Sequence, residues 1–506
     1  MAIEPSHGTP DAPGFLCDDP RLIARYQAAE RQLAGNLRRL YHHSGPVLIE
    51  GGPYPGIWLE CGPLEGLTYA RWNPARALEN HRIFFQLRRP GGWLPCCVRE
   101  QRIEFSQIQM VTPIAATALE LAEQTGNEAF LRQAYAACAA WDRWLARNRN
   151  TRHTGLCEAF CTFDTGEDGS PRFAGLPGAC PDGDARRCPP NPRLPYLAPD
   201  LSATVYGGRL ALARMAGHLG RPREAAAWRA AAEQIRRAIF RWCYDPRAMN
   251  FFDRDAQGHL LRINSVALLV VLENHVPDAR LAAALIARHV LNPREFWLPF
   301  PLPSIAGDDP AFNRAMPRDC WGGPSQALTA LRAPRWLEHY GHASALNHLM
   351  RQWLRLLMNA PHFSQQADPW TGAMSTGRDY SPAMLVLLDF TSRLYGVRAA
   401  SQELEWNCRV PGNAIHCEYR LPLGSGPGEA ALRSRQPRLA AHCHSELFLS
   451  GRKILAVDGP ARLITDAAGR PLRWLGTEPH AVRVKLYQPG AAPRAWILRP
   501  DQSVPI

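Results

Sequence analysis

Lysine is almost missing from this 506-residue chain. Lys453 and Lys485 are the only two, so the other 56 of its 58 basic residues are arginine. The formal charge of +12 is therefore a poor guide to function. The arginines are spread along the whole chain beside acids, without the stripe or tail in which a nucleic-acid protein gathers its charge. No nucleic-acid partner is expected. Long apolar runs are lacking too. The longest, Ser265 to Leu272, is far below the roughly 18 residues that span a bilayer. The N-terminal stretch has no basic start and no apolar core, so it does not read as a signal peptide. These absences point to a cytoplasmic protein with reduced thiols and no membrane partner.

Metal and cofactor signatures are also wanting. The chain has 14 cysteines. Cys157 and Cys161 lie close together, but Cys180 and Cys188 are spaced too widely to complete a zinc site. In His442-Cys443-His444, a strand would turn the cysteine away from both histidines. There is no Gly-rich phosphate loop and no dinucleotide fingerprint. No cofactor and no metal are expected.

What the chain does have is helical periodicity. After a polar, Pro- and Gly-rich stretch over residues 1–18, read as a loose tail, apolar residues recur at helical spacing from about 19 to 398. Short links bearing Gly or Pro separate the helices. Some are Ala-rich and apolar on most faces. Others carry many arginines, as between Pro222 and Trp242. The first kind suits an inner ring and the second an outer ring. About a dozen helices in antiparallel pairs predict a mainly α fold, an (α/α)6 toroid of six hairpins, over residues 19–398. From residue 399 to 506 short β-type runs alternate with Gly, Pro and Asp, predicting a small C-terminal all-β module, a sandwich.

In a helical ring, function belongs to the loops at one end. Three loops stand out. Residues 52–74 combine Tyr54, Trp58, Tyr69 and Trp72 with Glu60 and Glu65. Aromatic faces beside carboxylates suit a sugar, whose ring has apolar faces and polar edges. Residues 161–173 gather Asp164, Glu167 and Asp168 ahead of Arg172. Acids held close and buried raise one another's pKa, as a general acid needs. The same composition also suits a surface turn. The third group joins residues 318–326 to 363–382, with Asp319, Trp321, Asp368, Trp370, Asp379 and Tyr380.

At these loops the chain resembles the inverting six-hairpin glycosidases: mannosylglycerate hydrolase, trehalase and the family-63 enzymes that include processing α-glucosidase. Their central motif reads Trp-Asp-Ser-Gly-x-Asp-x-Ser-Pro-Arg, then Phe or Trp. It stands here as Phe163-Asp164-Thr165-Gly166-Glu167-Asp168-Gly169-Ser170-Pro171-Arg172-Phe173. The resemblance makes Asp168 the general acid, with Asp164, Glu167 and Arg172 around it. Trp58 and Glu60 fall where the family has Trp-Asp-Ser, whose Asp contacts substrate. Asp200-Leu201-Ser202-Ala203 resembles the opening that follows the acid motif. Trp321-Gly322-Gly323-Pro324 resembles Trp-Arg-Gly-Pro, with Gly322 in place of the Arg. The resemblance spans about residues 45–398 and implies a carbohydrate substrate, bound with the help of Trp58, Glu60, Asp164, Glu167, Arg172, Trp321, Trp370 and Tyr380.

One departure stands out. Gln365 occupies the position of the family's catalytic base, in Gln365-Gln366-Ala367-Asp368-Pro369-Trp370-Thr371-Gly372. An amide cannot take a proton from water at neutral pH. Asp368, Asp379 and Glu60 are the carboxylates available to replace it. The alternatives are a sugar-binding protein without hydrolysis, and a different sugar reaction such as epimerisation or lyase chemistry.

Overall fold

The structure, a computed structural model, describes residues 12–315, 320–400, 402–423, 428–436 and 442–506. Asp319 lies outside the described residues. Among them, twelve α-helices occupy the chain between Pro20 and Tyr395. In order they are α1 (Pro20–Gly35), α2 (Gly62–Tyr69), α3 (Pro74–Gln86), α4 (Ile114–Thr125), α5 (Glu128–Asn148) and α6 (Pro199–His218). Then come α7 (Pro222–Cys243), α8 (Ala267–Glu273), α9 (Ala279–Leu285), α10 (Ala327–Leu337), α11 (Ala343–Asn359) and α12 (Ser381–Tyr395).

Local sequence sets many of the ends. The Asp19 carboxylate accepts from the Arg21 and Leu22 amides, with Pro20 in the first turn of α1. Asn127 caps α5 through the Phe130 amide, and Asp278 caps α9 through that of Leu281. Each satisfies a donor that the helix itself leaves unpaired.

Two kinds of helix alternate. The even-numbered α8 and α12 are buried on nearly every face. The odd-numbered α7 and α11 bury one stripe only: Ala225, Ala232, Ile235 and Ile239 in α7; Leu346, Met350, Trp353 and Leu357 in α11. A helix apolar all round must be covered on all sides, whereas an amphipathic one can face water. The packing follows that logic. α2 contacts α4, α4 contacts α6, α6 contacts α8, α8 contacts α10, α10 contacts α12, and α12 returns to α2. α1 and α11 back onto α12, α5 onto α4 and α6, and α7 onto α6.

The β-rich C-terminal region holds two antiparallel sheets. One orders its strands 14–17, 416–422, 429–435, 444–449, 452–458, 482–487 and 494–498. The other runs 397–400, 403–408, 461–466, 471–475 and 503–505. Trp406, Tyr419, Leu432, Leu447, Leu463 and Val484 are fully buried there.

Three expectations need correction. Residues 14–18 are no loose tail: Gly14–Cys17 pairs with the strand 416–422, and Asp18 accepts from the Ile415 and His416 amides. The β region begins before 399, because Val397–Ala400 already pairs with Glu403–Cys408. The loop read over 52–74 contains α2, whose eight residues are too few to show a periodicity.

Helices and sheets are joined by charge as well as by apolar contact. Glu338, at the C-terminal end of α10, accepts from Arg393 of α12 and from Arg462 of the strand 461–466, each at 2.9 Å. Arg398 adds a third cation at 3.9 Å. Burial alone would raise the Glu338 carboxyl, but these three charges outweigh it and hold it well below its usual range. A depressed carboxylate stabilises the fold fully above its unfolded pKa, near 4.5, and that contribution fades as pH falls below it. Glu338→Gln is expected to cost about 2 kcal/mol at pH 7, since it strands partly buried cations. In urea unfolding, the gap between variant and wild type should close on acidification below about pH 4.5.

Candidate active site

The polar residues of interest lie on the segments that enter the even-numbered helices. Glu50 and Glu60 precede or enter α2, Gln109 precedes α4, Asp168 precedes α6, Trp321 precedes α10, and Gln365 and Tyr380 precede α12. Helices that contact one another in succession bring these segments together although they are far apart in sequence.

The segment around Asp168 is held by two buried clamps. Asp164 is fully buried and accepts from the Ile108 amide at 3.0 Å, the Phe160 amide at 2.8 Å and the Arg149 guanidinium at 2.6 Å. Its oxygens are committed to these partners within the fold. Arg172 is the second clamp. It grips Asp253 with two hydrogen bonds of 2.9 Å, Glu167 at 2.6 Å and Asp200 at 2.7 Å. Its guanidinium is 2 % exposed and turned inward onto these three carboxylates. Burial pushes Glu167 up to about 7, against the pull of Arg172. The outer oxygen of Glu167 meets no partner and lines a small cavity with Thr165, Trp321 and Arg332.

Asp168 is half-buried between these clamps. Its amide donates to the Gly166 carbonyl at 3.2 Å, and its carbonyl accepts from the Trp321 amide at 2.7 Å. Gly166 has φ +70°, and a Cβ there would fall 1.5 Å from a Glu60 carboxylate oxygen. Only glycine fits this position.

Three more carboxyls gather nearby. The Glu50 and Glu60 oxygens and the Cys61 sulfur lie within 4.8 Å of one another, close enough to ligate a single cation. Glu65 is fully buried, and neither of its oxygens has a hydrogen-bond partner. Burial pushes Glu60 well above the usual carboxylate range, and the charges of Glu50 and Asp168 push it further. The Gln109 amide, 3.2 Å from Glu60 Oε2, and the charge of Arg332 pull the other way. Glu50 is raised by burial, then by Glu65 and Asp168, with the Tyr380 hydroxyl opposing as a hydrogen-bond donor. Glu65 rises to about 8, chiefly from burial. A set of buried acids with so little counter-charge keeps protons at neutral pH, which is what proton donation to a substrate requires.

Other expected site residues divide. Tyr54 stands between Trp58 and Tyr380, with ring centroids 5.6 and 6.0 Å away, and its hydroxyl donates to Gln365 Oε1 at 2.6 Å. Trp58, Trp321, Tyr380 and Gln365 are therefore in or against the site. Asp368 is not: its carboxylate caps a turn, accepting from the Trp370 and Thr371 amides at 3.0 and 2.7 Å. Asp379 is exposed, and its backbone carbonyl accepts from Asn36 at 2.9 Å. Trp370 packs edge-on against Phe312, with Arg314 over its ring. Of the two aspartates, one therefore caps a turn and the other faces solvent.

The mannosylglycerate hydrolase MGH1-like glycoside hydrolase domain matches residues 54–381, about two thirds of the chain. The chain belongs to that family. It is a glycosidase, and its substrate is a carbohydrate. Solved structures carry the same fold at low identity. The GH63 mannosylglycerate hydrolase from Thermus thermophilus, in complex with glucose, is 20% identical, covers 72% of this chain and 99% of its own, and superposes with a TM-score of 0.59. Neutral trehalase from Saccharomyces cerevisiae is 15% identical over 72% of this chain and 80% of its own, with a TM-score of 0.54. The GH78 rhamnosidase of Bacillus sp. GL1 is 16% identical over 86% of this chain and 41% of its own, at 0.58. No curated protein matches the sequence. No helix among the described residues is long and apolar enough to cross a membrane.

The sequence reading missed Glu50, Arg332 and Asp253. Glu50 follows an apolar strand and precedes two glycines, with nothing local to mark it. Arg332 had a signal, being a cation on an otherwise apolar stretch of α10. Asp253 is marked only by its partner Arg172, 81 residues away. The role of Asp164 is testable. Asp164→Asn sets an NH2 group against backbone donors and unpairs Arg149, so it should lower stability by about 3 kcal/mol. A substrate contact would instead change KM and leave the unfolding midpoint in place.

Proposed function

We propose that the protein hydrolyses an α-linked glycoside with inversion at the anomeric carbon, and that Asp168 protonates the departing oxygen. The reading takes the twelve helices as an (α/α)6 toroid closed by the contact of α12 with α2, divided from a β sandwich near residue 398. The observation that carries it is the environment of Asp168. It sits on a segment locked by Arg149 and Arg172, and its charge reaches the buried Glu50 and Glu60. An acid fixed in place beside a second carboxyl is the equipment of a glycosidase. Trp58, Tyr54 and Trp321 supply aromatic surface for a sugar ring. The fourteen cysteines all keep free thiols, which suits a reducing compartment, and we assign the protein to the cytoplasm.

The substrate class follows from the family, so the test begins with α-mannosylglycerate, α,α-trehalose and aryl α-glycosides. Proton NMR of the first product should show the β-anomer. Asp168→Asn should lower kcat by roughly 10²–10⁴-fold, the usual worth of a general acid. Full activity in that variant would remove Asp168 from the role. Saturable sugar binding with no product from wild type would favour a binding protein instead, the outcome that Gln365 makes worth testing.

A further inference from the structure

Three side chains bring one donor atom each to a common place. A Glu50 oxygen, a Glu60 oxygen and the Cys61 sulfur lie within 4.8 Å of one another, and all three residues are buried. Donors on a tetrahedral ion, at about 2.0–2.3 Å from it, stand roughly 3–4 Å apart. Small side-chain rotations therefore close this set on an ion. The Cys61 thiol is held loosely from behind, 4.0 Å from the Trp58 carbonyl.

A further acid points at the group. Glu65 lies one helical turn beyond Cys61, its amide donating to the Cys61 carbonyl at 2.8 Å. It is fully buried, and neither of its oxygens has a hydrogen-bond partner. Among its neighbours, Cys61 acts on it most strongly and Glu60 next. A carboxyl buried without a partner costs stability, and this one lies against the donor set. Each donor also has a supporting group behind it. The Gln109 amide donates to Glu60 Oε2 at 3.2 Å. The Tyr380 hydroxyl stands as a donor against Glu50, and Glu65 backs Cys61. Metal ligands carry such outer partners, which fix their direction.

We propose that Glu50, Glu60 and Cys61 bind one divalent ion of zinc-like softness. The thiolate sets the ion class, because magnesium and calcium take six or more oxygens and refuse sulfur. Three protein ligands leave a position for water or a hydroxyl, as in open zinc sites. Cys61 binds as thiolate, and its proton passes to solvent. No spacing in the chain marks the site. Glu50 stands ten residues before Glu60, and Cys61 has no second cysteine nearby in sequence. The site goes beyond the hydrolytic reading and does not depend on it.

The test uses the full chain, stripped with a chelator and titrated with cobalt(II), whose spectrum reports its ligands. One equivalent should bind, with a thiolate-to-cobalt charge-transfer band in the near ultraviolet, and zinc should displace it. The band should vanish in Cys61→Ser and persist in Cys138→Ser, a buried thiol of α5. Glu65→Gln should keep the band and weaken binding by roughly 10–100-fold. Glu50→Gln and Glu60→Gln should each weaken it further. If the stripped chain binds neither ion, or binds cobalt without the charge-transfer band, the site falls. A band that survives Cys61→Ser gives the ion to another thiol and overturns the assignment as well. Should Cys61→Ser not fold by circular dichroism, Glu60→Gln decides, and unchanged cobalt affinity there overturns the site. Every readout is one of binding. A wild-type chain that cleaves no glycoside therefore sinks the hydrolytic reading and leaves the ion site standing.

Discussion

Arg172 ties the site to the fold. One guanidinium holds Glu167 next to Asp168, Asp200 in the first turn of α6, and Asp253 on a strand beyond α7. Three segments far apart in sequence are thereby fixed to a single point. The planar fork of arginine can do this, offering five donors in fixed directions, whereas a lysine could not grip Asp253 with two bonds. Asp164 performs the same service on the other side, binding two backbone amides and Arg149. Asp168 hangs between these clamps on a backbone that has little freedom left. A carboxyl that is already in position spends no ordering entropy if it reacts.

The electrostatics of the site run opposite to those of the whole molecule. The chain is strongly basic, yet its ring of entry segments buries Glu50, Glu60, Glu65 and Glu167. Burial disfavours charge, and each acid penalises the next. Protons therefore remain where free carboxyls would have shed them. Arg172 and Arg332 oppose that rise, the first by direct pairing with Glu167, the second by its charge on Glu60. The many surface arginines are screened by water and salt and contribute little to this balance.

Much of the helical part was legible in the chain. Long amphipathic helices such as α5, α7 and α11 announce themselves by spacing, and Asp19, Asn127 and Asp278 mark the starts of α1, α5 and α9. The short even-numbered helices did not. α2 and α8 are eight and seven residues long and buried on nearly every side, so they carry no apolar stripe to read. Gly14–Cys17 was taken for a tail because a strand of four residues draws its stability from a partner some four hundred residues away. At the site, the ordered motif around Asp168 was visible, but the roles within it were not. Nothing in the spacing shows that Asp164 binds Arg149 or that Arg172 binds Asp200 and Asp253.

The chain alone shows its class: a helical chain with a β-rich end, and an ordered cluster of acids ahead of Arg172. These are local properties, written in spacing and residue type. Only the tertiary structure decided which carboxyls meet. Glu50 and Glu60 lie in one segment and Asp168 about a hundred residues further on, and each looks like an ordinary acid where it stands. The closed succession of even-numbered helices brings their entry segments to one place, and burial there changes what each acid can do. Proton affinity depends on neighbours and on water, and both are set by packing that no single segment encodes.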